Sequence, residues 1–162
     1  MAEKYVFGPF AHSAGREFKR ADLEFYSIDH FRPSFVGRIY FNDPDVDFDT
    51  ASEDRPSYAG SFAIFGHEKC AGDVGHCDLP GERRRFDDRP SHPLTRAFKR
   101  VVVTDALRKA CDEGEELTIT VVVASAEDGK RKKTSKKKGK KKEKPHYKRL
   151  FDFKGMQLVT FD

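Results

Sequence analysis

ADLEFYSI, residues 21–28, decides how this chain reads. Leu23, Phe25 and Ser27 alternate with Asp22, Glu24 and Tyr26, so the stretch has the two-residue period of a strand with one apolar face. DHFRP ends it, because Pro33 restricts the residue before it. Working outward, SFVGRIYFN (residues 34–42) is rich in β-branched and aromatic residues and reads as a second strand. DPDVDFDTASEDRPS is an acidic, Pro-containing loop. YAGSFAIFG (residues 58–66) is a third strand with Phe62 and Ile64 on one face. The small residues Ala59, Gly60 and Ser61 predict a close backbone approach or a bulge there.

The second half follows the same grammar. FKRVVVT (residues 98–104) reads as a strand. TDALRKACDEG reads as a short helix, with Thr104 as N-cap, Asp105 suited to the helix dipole and Gly114 as the stop. Its apolar positions Ala106, Leu107, Ala110 and Cys111 have helical spacing, which makes Cys111 a core thiol. EELTITVVVAS (residues 115–125) alternates and then becomes a continuous Val run, as a central strand would. YKRLFDF and MQLVTF close the chain as two short strands around an FKG turn. Residues 1–20 mix Gly, Pro and charge and are expected to be a loosely ordered lead-in with a short strand near residues 5–7. Strands separated by turns, without βαβ alternation, predict a mainly β fold. The expectation is an antiparallel β-sandwich of about seven strands with one short helix, a single domain over residues 21–162.

Composition narrows the classes. At 162 residues the chain is long enough for one domain with a real core. Fifteen Phe and no Trp predict a core built on Phe. No apolar run is long enough to cross a membrane as a helix. The first twenty residues lack the apolar stretch of a signal peptide, so a cytoplasmic location is expected. The net charge of +4 is unevenly spread. Residues 130–149 hold thirteen Lys or Arg against Glu143 alone, a local +12 that leaves the rest at −8. This is an acidic domain with one basic segment. The segment offers almost nothing apolar to bury and repels itself, so a disordered Lys-rich loop is expected at about residues 127–146. Lys130, Arg131, Lys132, Lys133, Lys136, Lys137, Lys138, Lys140, Lys141 and Lys142 are its polyanion-binding candidates. They would hold nucleic acid or an anionic lipid surface without sequence specificity. The plainer alternative is a solvated insertion.

A long irregular stretch runs from residue 67 to about residue 97. At its start, FGHEKCAGDVGHCD (residues 65–78) holds two of the three cysteines and two of the six histidines. His67, Cys70, His76 and Cys77 suit copper or zinc by type. Their spacing does not, because His76 and Cys77 are adjacent and neighbouring side chains rarely share one ion. A Cys70–Cys77 disulfide would close a short loop that Gly72 and Gly75 make easy, for roughly 2.5 kcal/mol on a chain-entropy basis. Two free thiols are the remaining alternative. A disulfide or free structural thiols is the expectation, with copper handling the metal alternative. Asp43, Asp45, Asp47 and Asp49 resemble part of a calcium loop but lack its Gly and terminal Glu, so a solvated acidic loop with weak divalent binding is expected. Arg83, Arg84 and Arg85 beside Asp87 and Asp88 read as an ion-pair patch, and His92 as a loop anchor. No Ser-His-Asp order and no Gly-rich phosphate loop stands out.

Five pieces occur in an order that resembles a known family. They are ADLEFYSIDHFRPSFVGRIYFNDPDVD, YAGSFAIFGH, GHCDLP, HPLTRAFKRVVVTDALRKA and ELTITVVV. Together, over roughly residues 21–125, they resemble the C-terminal β-sandwich domain of type-3 copper proteins: bacterial tyrosinases, polyphenol oxidases and molluscan haemocyanin. The resemblance implies a non-catalytic accessory domain that docks on a type-3 copper domain, in cis or in trans, and shields or helps mature its site. Copper would then belong to the partner domain and no cofactor to this one. A di-copper centre takes six histidines projecting from helices. None of His12, His30, His67, His76, His92 and His146 lies on the expected helix, so this chain is not expected to be an enzyme. In some family members a sandwich side chain reaches into the substrate pocket. Phe65, Leu79 and Phe86 are the shielding candidates, since they lie on or beside the long loop. The alternatives of other classes are a free-standing sandwich that binds polyanions through the Lys-rich loop, and a copper carrier built on the His/Cys loop.

Overall fold

A computed structural model describes residues 2–11, 17–68, 86, 95–125 and 148–162. Its elements run β1 (Ala2–Ala11), β2 (Arg20–Ile28), β3 (Phe35–Phe41), β4 (Tyr58–Ile64), β5 (Ala97–Val102), α1 (Thr104–Glu113), β6 (Glu116–Ser125) and β7 (Gly155–Phe161). Two antiparallel sheets form, one ordered β1-β6-β3-β4 and the other β5-β2-β7. Their inner faces meet in one core, where Leu23, Phe25 and Val101 of the smaller sheet pack with Phe35, Ile39, Phe62, Ile119 and Val121 of the larger. The fold is therefore the expected mainly β sandwich with one short helix. That helix presents Leu107 and Ala110 to the core, and Cys111 packs half-buried beside them.

The Val run of β6 is buried on both faces because something covers the outer one. The acidic loop does so. Val46 packs with Tyr40 and Val122 in a second small core, flanked by Phe48, Ala51 and Tyr58. The loop is thus folded over the sheet rather than simply solvated. Its aspartates are also not gathered. Asp43 accepts from Arg55 and Ser57, and the Asp47 carboxylate accepts from the backbone N–H groups of Asp49 and Thr50. That second pattern is an Asx turn, which organises the loop locally.

Three expectations are corrected. The lead-in assigned to residues 1–20 instead supplies β1, which pairs along β6 with a register shift between Phe7 and Phe10. Its period was hidden because it is an edge strand, half-buried on one face only, and Gly8-Pro9 interrupts it. The strand expected over residues 147–153 does not appear among the described residues. Leu150 and Phe151 are instead fully buried, inserted between the sheets from an irregular segment. Thr104 does not cap α1. Its hydroxyl accepts from the Ala21 N–H, which ties the helix start to β2. Gly114 does mark the helix end.

Gly60 shows why β4 carries small residues. Its φ is +142°, and the β3–β4 register shifts between Ile39 and Tyr40 beside it. A Cβ there would lie 2.7 Å from Val101 Cγ1, so the two sheets approach through this glycine.

Candidate functional site

The register of the β3–β4 hairpin creates one corner with a distinctive make-up. Phe35 pairs with Ile64 at its open end, so residues 29–34 and 65–68 lie side by side beyond the strands. The His67 N–H donates to the His30 carbonyl at 2.7 Å, and the Glu68 N–H to the Arg32 carbonyl at 3.2 Å. The Gly66 N–H donates to Ser34 Oγ at 3.0 Å. A Cβ on Gly66 would collide with the Arg32 carbonyl, so only glycine lets the two segments meet. Arg32 is buried beneath them. It bonds Asp29 Oδ2 at 3.0 Å, Asp152 Oδ2 at 2.9 Å and the Arg149 carbonyl. A guanidinium with this many acceptors fixes the corner to the segment that carries Phe151.

Four rings stand in a row on this base. Phe31 lies 5.4 Å from His30, His30 lies 5.1 Å from His67, and His67 lies 5.2 Å from Phe65, each pair edge-on. Phe65 is 76% exposed and Phe31 45%. Burial pulls the His30 imidazole below its ordinary pKa, and the neighbouring His67 pulls the same way. A hydrogen bond to the Thr95 backbone and the Asp29 charge act against them without winning. His30 Nε2 is buried and has no hydrogen-bond partner among the described residues.

The outer face of the smaller sheet is different in kind. Asp22 and Glu24, on the polar face of β2, are buried. Arg100 lies over both, 3.4 Å from Asp22 Oδ2 and 2.8 Å from Glu24 Oε1, and Arg20 reaches Asp22 Oδ1 at 2.7 Å. The Tyr26 hydroxyl donates to Glu24. That bond, with the Arg100 guanidinium behind it, holds the Glu24 carboxyl below its usual range despite desolvation. Each carboxylate faces a guanidinium, although the buried Asp22 Oδ2 has only its 3.4 Å ion pair with Arg100 and no hydrogen bond among the described residues. The arrangement reads as the seal of the sheet rather than as a reactive centre.

The expected site residues fall into two groups. Phe65 and Phe86 are described and strongly exposed, and His67 stands in the ring row. Cys70, His76, Cys77, Leu79, Arg83 to Arg85, His92 and the lysines from Lys130 to Lys142 lie outside the described residues. Among the described residues no group of three or more His, Cys, Asp or Glu is placed to hold a metal ion, and no helix is long and apolar enough to cross a membrane. His30 was missed because no local motif contains it. Its partner is distant in sequence and arrives only through hairpin register. Comparison of the chain with protein-family models, with curated proteins and with solved structures finds no match.

Proposed function

We propose that this sandwich is a non-catalytic accessory domain. It docks on a type-3 copper oxidase domain, in cis or in trans, and shields or helps mature its site. The observation that carries the reading is Phe65. It is a large apolar side chain projecting from the end of β4, three-quarters exposed, on a corner held by backbone bonds and by Arg32. A rigidly mounted aromatic is the kind of group that anchors an interface, because it brings contact area at little conformational cost. Phe31 extends the apolar surface on the far side of the two histidines. The resemblance of the five sequence pieces supplies the identity of the partner. In this reading the oxidase chemistry belongs wholly to the partner domain, and Phe65 covers the entrance to its copper pocket.

The test is phenol oxidation by a tyrosinase-type di-copper domain carried in the same parent chain or encoded beside it. Adding the sandwich should suppress turnover. Phe65→Ser should relieve the suppression, and Phe98→Ser, on the opposite sheet, should not. Oxidase activity and copper loading that ignore the added sandwich would refute the proposal.

A further inference from the structure

We infer that His30 and His67 form a two-imidazole site for a late first-row transition-metal ion such as Zn²⁺ or Cu²⁺, which takes His67 from the cysteine motif but needs neither of its thiols. Three observations carry this. The first is the state of His30. An interaction with the Thr95 backbone favours its protonated form, and with Nδ1 turned to that backbone Nε2 would keep a lone pair. Metal-ligating histidines recurrently use their second nitrogen in this way, since the backbone bond orients the ring and raises its basicity.

The second is that Nε2 is buried without a hydrogen-bond partner among the described residues. A buried acceptor left unmatched is costly unless something occupies it. The third is the spacing. Ligand bonds of about 2.0–2.1 Å place an imidazole centroid roughly 3.2 Å from the ion. Centroids 5.1 Å apart then subtend an angle of about 105° at the ion, close to tetrahedral. The rings are inclined at 69°, so they are not stacked flat against each other.

The surroundings suit a bound ion. The backbone bond between His67 and His30 and the glycine at position 66 hold the two backbone segments together before any metal arrives. The Asp29 carboxylate, itself engaged by Arg32, adds negative potential nearby. With these two ligands among the described residues, the remaining coordination positions are left to water or to an incoming donor. Nitrogen ligands favour the borderline ions over Mg²⁺ or Ca²⁺, and copper most among them. The site stands on this geometry whether or not the domain docks on an oxidase.

The experiment titrates Zn²⁺ into the full chain carrying Cys70→Ser and Cys77→Ser, which removes the competing thiolates. Imidazole ¹H–¹⁵N spectra report each ring nitrogen. One equivalent should shift His30 Nε2 and one His67 ring nitrogen together. His30→Gln and His67→Gln should each weaken binding at least tenfold, while His12→Gln leaves it unchanged. Circular dichroism checks that each variant folds, and the unsubstituted histidine spectra decide the matter if one does not. Absence of Zn²⁺ binding would overturn the inference. So would binding that survives both substitutions, or spectra in which His30 does not move.

Discussion

Phe151→Ala tests the feature of this fold that differs most from its expected place. As a residue of a short terminal edge strand, Phe151 would be half-exposed and cheap to truncate. In the structure it is 1% exposed and sits among five rings: Tyr5 at 5.6 Å, Phe25 at 5.4 Å, Phe35 at 5.9 Å, Phe62 at 5.3 Å and Phe153 at 4.5 Å. These neighbours come from both sheets and from its own segment, so no single element can move in to fill the gap. Burying a Phe side chain contributes up to about 3 kcal/mol. The residual cavity and the lost edge-on contacts add to that, so truncation should cost about 4 kcal/mol, within the ~3–5 kcal/mol seen for buried Phe. For a chain of this length that is a fall in Tm of about 8–16 °C. With no Trp in the chain, urea unfolding followed by tyrosine fluorescence and far-ultraviolet circular dichroism is the assay. A midpoint shift worth less than about 1.5 kcal/mol would refute the placement of Phe151 between the sheets, since exposed or edge positions respond on that scale.

Gly60→Ala should cost about 2 kcal/mol or more by the same assay, because φ of +142° is strained for any other residue and the added methyl meets Val101. Acid sensitivity has a definite sign. The Glu24 carboxyl is held low mainly by the Tyr26 hydrogen bond and the Asp47 carboxyl by its bonds to Thr50. Burial pushes the Asp43 carboxyl up, but Ser57 and Arg55 outweigh it. Each group titrates lower folded than unfolded, so its stabilisation is present above roughly pH 4 and is lost as pH falls through the folded values. Denaturation midpoints should therefore drop steeply below that point, and Tyr26→Phe should flatten part of the drop. Polyanion binding through residues 130–149, measured by fluorescence anisotropy with labelled single-stranded DNA, should fall about 10³–10⁵-fold between 50 and 200 mM salt if six to ten phosphates are engaged. Salt-insensitive binding would show that the lysines are not its source.

Strand period carried the fold class from sequence. Residues 21–28 alternate, residues 116–125 merge alternation into a Val run, and the small residues around Gly60 announced the register shift that is found there. These signals are local, so a linear reading reaches them. Other assignments depended on what lies opposite. Asp22 and Glu24 have the polar identity of a solvent face, yet Arg20, Arg100 and Tyr26 fold over them and bury them. The acidic loop reads as solvated because its Val46 and Phe48 are isolated in sequence. They matter only once Tyr40, Tyr58 and Val122 lie beneath them.

The candidate site divides the same way. Phe65 and His67 were legible because they belong to the conspicuous cysteine motif. His30 was not, since its partner stands across the open end of a hairpin. The sequence by itself determined β2 to β7, though not β1, because side-chain alternation is a property of the extended backbone. Only the tertiary structure decided that Phe151 plugs the core and that His30 meets His67. Those outcomes rest on strand order and register, which are set by long-range packing that no short window of sequence contains.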